Sequence, residues 1–184
     1  MMDVTPDVLS NYRARERLRD GRHLLVRGIR PDDKAALQEG LQRLSAESAY
    51  YRFFRHKHDL SPEELVYFTE IDFDQHVALV AIDEQSGVVV GVGRYFLCQE
   101  TPQRAAEITL AVDDAYHGRG VATVLLQHLV TVARAAGIAE FHAAVMGENH
   151  KMLDVLFNLG LPVQRTAEGA VVNVRLSLAD ASVG

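Results

Sequence analysis

The segment His117-Gly118-Arg119-Gly120-Val121-Ala122 stands at the head of an apolar run of helical period and has the make-up of an anion site. A helix start presents backbone N–H groups without intrahelical partners, and the helix dipole adds partial positive charge there. A pyrophosphate fits such an end. Gly118 and Gly120 let the backbone approach phosphate oxygens because neither carries a Cβ, and Ala122 keeps the next turn slim. The segment lacks both the G-x-x-x-x-G-K-[ST] and the G-x-G-x-x-G patterns. Taken alone, its two glycines favour an ordinary turn before a helix.

Other residues carry chemical potential of their own. Glu107 is the one charge in the apolar run Ala106–Val112, and by pattern alone it reads as a solvated glutamate on an exposed strand face. Asn149 suits a helix N-cap, a role compatible with ligand contact. The Arg119 side chain suits phosphate but reads first as a solvated arginine. His56 and His58 form an H-x-H pair inside Tyr51–His58, which reads as a solvated basic helix end rather than the start of a metal site; that patch also offers positive charge to an acidic acceptor. Cys98 reads as a small buried hydrophobe at a strand end, and His128 and His142 as structural or exposed.

The elements that must position these residues follow from periodicity and punctuation. Residues 1–12 read as a lead-in. Arg15–Arg19 and Arg22–Arg30 flank Asp20-Gly21, a hairpin signal. Pro31 opens a helix with apolar residues at Ala36, Leu37, Leu41 and Leu44, and a second helical piece follows Ser45. Ser61-Pro62-Glu63-Glu64 is a capping box that starts a helix ending near Glu70. His76–Ile82 and Val88–Cys98 form an antiparallel hairpin, and Ala106–Val112 is a further strand. Val121, Leu125, Leu129 and Val132 line one face of a helix that stops at Gly137. Strand Ala139–Val145, a helix capped by Asn149, and two short strands near 161–166 and 170–176 complete the order. The chain is thus α/β, with helices on both faces of a mixed sheet.

Composition narrows the function classes. The chain has 184 residues, 48% hydrophobic and 24% charged, the profile of a globular domain. A net charge of −6 argues against general affinity for nucleic acid or anionic membrane. A single cysteine excludes an intramolecular disulfide and a cysteine-rich zinc site. With neither a signal-peptide pattern nor an apolar run of membrane-spanning length, a cytoplasmic protein is expected.

The ordered series resembles the GNAT superfamily of N-acetyltransferases. Residues 117–122 follow its [RQ]-x-x-G-x-[GA] signature with histidine at the first position. Asn149-x-x-Met152-x-x-x-Leu156-x-x-x-Gly160 follows its second block, with Met152 for alanine, Val155 for leucine, Leu156 for tyrosine and Leu161 for the final aromatic. Leu18–Gly21, Ile29–Asp33, Ser48–Phe54 and Ala106–Ile108 are similar to segments of the bacterial protein lysine acetyltransferases that modify acetyl-CoA synthetase.

The resemblance implies a GNAT-type, mostly antiparallel sheet flanked by helices and splayed between the strands near 106–112 and 139–145, in one domain over 13–184. It implies acetyl-CoA as co-substrate, with no metal. His117, Gly118, Arg119, Gly120, Val121 and Ala122 would hold the pyrophosphate. Backbone groups near Leu110 and Val112, with Asn149, would hold the pantetheine arm as an added strand, and the N–H near Val112 would stabilise the oxyanion. Glu107 becomes the candidate base for an acceptor amine, most simply a protein lysine, whose unperturbed pKa of about 10.4 leaves it protonated at neutral pH. Tyr50 and Tyr51, packing residues by pattern, also suit the acceptor groove. Leu156 stands where many members carry a tyrosine acid, so thiolate departure relies on another group, on water or on no acid. A protonated His117 would strengthen acetyl-CoA binding as pH falls through about 6.5. Acetylation of a small amine, or acyl-CoA binding without catalysis, remain the alternatives, in a monomer or a homodimer.

Overall fold

In a computed structural model that describes residues 4–179, the chain turns at Asp20-Gly21. Gly21 takes φ +87° and its N–H donates to the Leu18 carbonyl at 3.0 Å. The turn joins β1 (Arg13–Arg17) to β2 (His23–Gly28) in antiparallel register. Ahead of it, within the stretch expected as a lead-in, Pro6–Ser10 forms a short helix, α1, capped by the Thr5 side chain. Its Leu9 is buried, and a Cβ on Gly28 would come within 2.7 Å of the Ser10 carbonyl. A helix of 5 residues is too short for apolar periodicity to reveal.

After β2, Arg27 grips both oxygens of Asp33 through two nitrogens, each at 2.8 Å, while Oδ2 of that carboxylate also accepts the Arg30 N–H at 2.7 Å. This fixes the 3-10 turn Pro31–Asp33 and the start of α2 (Lys34–Arg43). Next come α3 (Ala46–Phe53) and α4 (Pro62–Thr69). The capping box of α4 is reciprocal: the Ser61 hydroxyl accepts from Glu64 N–H at 3.1 Å and the Glu64 carboxylate accepts from Ser61 N–H at 2.8 Å.

The remaining elements are β3 (His76–Asp83), β4 (Val89–Leu97), β5 (Ala105–Val112), α5 (Val121–Ala135), β6 (Glu140–Met146), α6 (His150–Phe157), β7 (Val163–Glu168) and β8 (Val171–Ser177). They build one mixed sheet in the order β1-β2-β3-β4-β5-β6-β8-β7. Every neighbouring pair is antiparallel except β5 with β6.

Alternation along β4 and β5 assigns their faces. A Cβ on Gly93 would lie 2.8 Å from Leu110 and 2.9 Å from Leu129, and one on Gly91 would lie 2.9 Å from Leu125. These glycines let α5 sit close on one face, over Ile108, Leu110 and Val112. The opposite face carries Arg94 and Phe96 of β4 beside Thr109 and Glu107 of β5, and it lies under α2 and α3. One buried cluster runs from Leu24 in β2 through Leu125 and Leu129 in α5 to Phe141, Val174 and Leu176 in β6 and β8.

Candidate active site

β5 and β6 pair only over Ala105–Glu107 and Glu140–His142. β5 continues to Val112 and β6 to Met146, so the strands diverge after Glu107, as expected for a splay in this region. The β5 edge facing β6 is left unpaired over 108–112, where an extended ligand can add as a strand. A cleft of about 840 Å3 fills the gap. Its walls are the end of β5, the 116–123 turn, one side of α3, the end of β6 and α6.

The glycine-rich turn closes one end. Gly118 and Gly120 take φ +75° and +91°, and no atom lies within 4 Å of a Cβ built on either. Here glycine is required by the left-handed backbone and by the open space above it. Among the described residues, no group accepts from the N–H groups of Gly118, Gly120, Val121, Ala122 or Thr123; the first intrahelical bond runs from Val124 N–H to Gly120 O at 3.0 Å. These donors, on a helix of 15 residues, fit a pyrophosphate. His117 turns inward, its Nε2 donating to the Val112 carbonyl at 3.0 Å. That bond ties the turn to the end of β5 and leaves Nδ1 as the ring's remaining polar atom.

The turn is pinned from two sides. Tyr116 hydroxyl donates to buried Asp83, which also receives Arg22 Nη1 at 2.9 Å. The Tyr116 bond, then backbone and Arg22 contacts, hold the Asp83 carboxyl below the usual carboxylate range despite its burial. On the helical side, Arg43 bonds Asp113 at 2.7 Å, and Asp114 accepts from Ser45 N–H at 3.2 Å and Ser48 hydroxyl at 3.1 Å. The start of α3 is thereby fixed to the same turn.

Glu107 lies exposed where the strands part, opposite Phe96 on β4 and His142 on β6. It lines the cleft, and Arg52 of α3 lies close enough to feel its charge. Thr109, two residues along the same face, also lines the cleft; its hydroxyl is the one fully buried side-chain polar atom without a partner among the described residues. Cys98, just beyond β4, is half-buried, and burial raises its thiol pKa, which suits an inert thiol.

Of the residues singled out for ligand contact, Glu107, Leu110, Val112, His117, Gly118, Gly120, Val121, Ala122 and Asn149 line this one cleft. Arg119 does not: its guanidinium pairs with Asp20 at 3.1 Å and packs over the Tyr116 ring. Asn149 Oδ1 caps α6 by accepting from Met152 N–H at 3.2 Å, which leaves its amide donors for the cleft. Leu156 is 1% exposed and supplies no proton. The cleft also recruits Thr109, Tyr51 and Arg52. Tyr51 was legible as a groove residue, whereas nothing in the periodicity marks Thr109 or Arg52. No group of three or more His, Cys, Asp or Glu side chains able to hold a metal occurs among the described residues, and no helix among them is long and apolar enough to cross a membrane.

Residues 39–160 match the Acetyltransferase (GNAT) family. An acetyltransferase of Pseudomonas aeruginosa is 35% identical over 152 residues, covering 82% of this chain and 81% of that protein. The acetyltransferase Pat of Mycolicibacterium smegmatis is 28% identical over 155 residues, or 84% of this chain but 46% of Pat. Among solved structures, the GNAT domain of S. lividans PAT superposes with a TM-score of 0.83 at 36% identity, over 90% of this chain and 96% of that one. The Salmonella typhimurium protein yncA, a putative acetyltransferase solved with its cofactor acetyl-CoA, shares the fold at 18% identity, with a TM-score of 0.69 over 87% of this chain and 96% of that one.

Proposed function

Because this chain belongs to the acetyltransferase (GNAT) family and works with acetyl-CoA, we propose that it acetylates the side-chain amine of a protein lysine, with Glu107 as the base. The observation that carries the proposal is the position of Glu107: an exposed carboxylate on β5 at the point where β6 leaves, facing the α3 wall of the cleft. The likeness to Pat and to the S. lividans PAT domain favours a lysine acceptor over a small amine.

Acetyl-CoA, when bound, supplies the acyl group as a thioester. The residues of this chain have three tasks. The free N–H groups of Gly118 and of 120–123, with the Asn149 amide, hold and orient the co-substrate. The opened β5 edge near Leu110 and Val112 keeps it extended, so that its reactive end lies toward Glu107. Glu107 removes a proton from the lysine ammonium, directly or through a water, so that the neutral nitrogen forms the amide bond as the carbon–sulfur bond breaks. The nitrogen gives up its second proton to solvent as the amide forms, and the departing sulfur takes a proton from solvent, since Leu156 has none to give. Arg119, paired with Asp20, steadies the turn rather than touching phosphate.

The test is thiol release from acetyl-CoA with a lysine-bearing acceptor protein, such as acetyl-CoA synthetase, beside polyamine, aminoglycoside and free amino-acid acceptors. Mass spectrometry then locates the acetyl group. The lysine protein is expected to give the highest kcat/KM. Glu107→Gln is expected to lower kcat roughly 100-fold or more while acetyl-CoA affinity stays within about twofold. Full activity of Glu107→Gln across the pH range would remove Glu107 from the role of base. A small amine as the best acceptor would replace the lysine reading. Tight acetyl-CoA binding with no turnover on any acceptor would leave a binding module.

A further inference from the structure

On the acceptor side of the sheet a second, smaller cavity of about 70 Å3 lies between α2, α3, α4 and β4. It shares Leu44, Arg52 and Ala111 with the main cleft. Three arginines line it, and they differ. Arg43 is neutralised by Asp113 at 2.7 Å. Arg52 and Arg94 have no carboxylate within salt-bridge distance among the described residues.

Arg94 is 3% exposed. Its Nη1 donates to the Phe68 carbonyl at 3.1 Å and to His76 Nε2 at 2.9 Å, and its flat face lies 4.7 Å from the centre of the Phe68 ring. Nε and Nη2 have no hydrogen-bond partner among the described residues, and neither is fully buried. Arg52 stacks on Phe53 at 4.7 Å and makes no hydrogen bond among the described residues. Arg52 lies close enough to Arg94 to weaken that group's hold on its proton, after the larger effect of burial. His76, hydrogen-bonded to Arg94, is kept neutral by the same surroundings, while Glu107 acts on Arg52 and Tyr67 on Arg94, each favouring the charged guanidinium. Thr109, directly opposite Arg94 in the β4–β5 register, adds its unpartnered buried hydroxyl.

A buried guanidinium such as Arg94, with no carboxylate in salt-bridge distance, costs free energy that an anion would recover, and its planar fork matches a carboxylate; half-buried Arg52, which feels Glu107 as its opposing charge, supplies a second fork. A cavity of about 70 Å3 has room for such a group, since one water needs roughly 10–15 Å3 of comparable space. Arg52 lines both this cavity and the cleft that holds Glu107, and Thr109, which lines the cleft, lies about 7 Å along β5 from Glu107, so a group docked here borders the acceptor end of the cleft.

We propose that Arg52 and Arg94, with Thr109, form a specificity subsite for a carboxylate carried by the acceptor. The inference rests on the acetyltransferase reading of the cleft and names the chemistry of its acceptor. Two sources supply that chemistry: an acidic side chain near the target lysine of a polypeptide, or the main-chain carboxylate of a free amino acid.

The experiment has two arms and a binding control. In the first arm, lysine peptides with Glu or Gln at each neighbouring position are compared for acetyl transfer. In the second, free lysine is compared with lysine amide. A carboxylate is expected to lower acceptor KM roughly 10-fold or more, and the arm that shows it identifies the source. Arg94→Gln and Arg52→Gln should abolish the preference by raising KM for the carboxylate acceptor and not for its neutral counterpart. In the control, wild type saturated with CoA, so that its phosphate turn is filled, is melted with glutarate or with neutral glutaramide. Glutarate alone should raise Tm, and Arg52→Gln should lose the rise. Because the control needs no turnover, it reads the subsite even if lysine acetylation is not the activity. Equal KM for acid and amide acceptors, or equal melting with glutarate and glutaramide, would overturn the proposal. Should Arg94→Gln not fold, Arg52→Gln on the α3 wall carries the comparison.

Discussion

Gly120 is where a single residue does most for the co-substrate site. Its φ of +91° places it in the left-handed region, with nothing within 4 Å of a Cβ position. A side chain there meets no neighbour, so its cost is backbone strain, about 1–2 kcal/mol, together with occupation of space that phosphate oxygens need. Gly120→Ala is expected to raise acetyl-CoA KM by ~10-fold and to lower the unfolding free energy by about 1 kcal/mol, read by steady-state kinetics and urea denaturation. Unchanged KM with the same loss of stability would mean that the turn does not carry the pyrophosphate. Gly118 and Gly120 were legible in the sequence because a required backbone conformation leaves a residue-type signature. The bond of His117 to Val112 O was not, because a histidine at that position is equally able to face a ligand. With Nε2 committed inward, only Nδ1 of His117 is left to meet a ligand. Arg52 and Arg94 were also hidden: what distinguishes them from Arg43 is that folding brings no carboxylate of the described residues into salt-bridge distance, and no local pattern records an absence.

Elements are what the sequence records best, since capping and periodicity act within a few residues. Ser61 and Glu64 announced α4, and both halves of the capping box form. The stripe Val121, Leu125, Leu129 and Val132 announced α5, and all four are buried. Contacts between elements leave a fainter record. Gly91 and Gly93 interrupt an otherwise ordinary β4, and only the packed structure explains them: their missing side chains admit Leu125 and Leu129 of α5 to the sheet. The same closeness sets the height at which α5 presents its N-terminal donors beside β5. Gly93→Ala would push a Cβ into Leu110 and Leu129 at 2.8 and 2.9 Å. Overpacking of this kind costs about 1–3 kcal/mol, visible as a lower urea midpoint at unchanged slope. Because α5 must shift to relieve it, acetyl-CoA KM should rise in the same variant. A destabilised protein with wild-type acetyl-CoA KM would show that the turn is positioned by its Asp83 and Asp114 pins rather than by α5.

At the scale of the molecule, stability and the acceptor face are linked through His76. Its imidazole is 8% exposed, accepts a hydrogen bond from Arg94 through Nε2, and is faced by Arg94 from β4, Asp72 from the preceding loop and Arg52 from α3. Burial first, then the Arg94 charge, push its pKa down to about 4, against an opposing pull from Asp72. In the unfolded chain the same group titrates near 6.5. The unfolded state therefore binds the extra proton first as pH falls, so the stability gained from a neutral His76 is complete above about 6.5 and is lost progressively down to about 4. The loss approaches about 3 kcal/mol, a sizeable part of the stability of a domain this size. Urea unfolding at intervals from pH 7.5 to 4 should show stability declining with acid across that window. In His76→Phe, which keeps an aromatic ring beside Phe96 but has nothing to protonate, the decline should be smaller by about that amount. The variant starts lower at pH 7.5 because Arg94 loses an acceptor, so the slope with pH, not the absolute value, decides. An equal slope in both proteins would mean that His76 takes up its proton in the folded state as readily as in the unfolded one. The positive field of Arg52 and Arg94, which helps to keep the imidazole neutral, would then have to be weaker than the missing carboxylates imply, and the case for an anion between them would weaken with it.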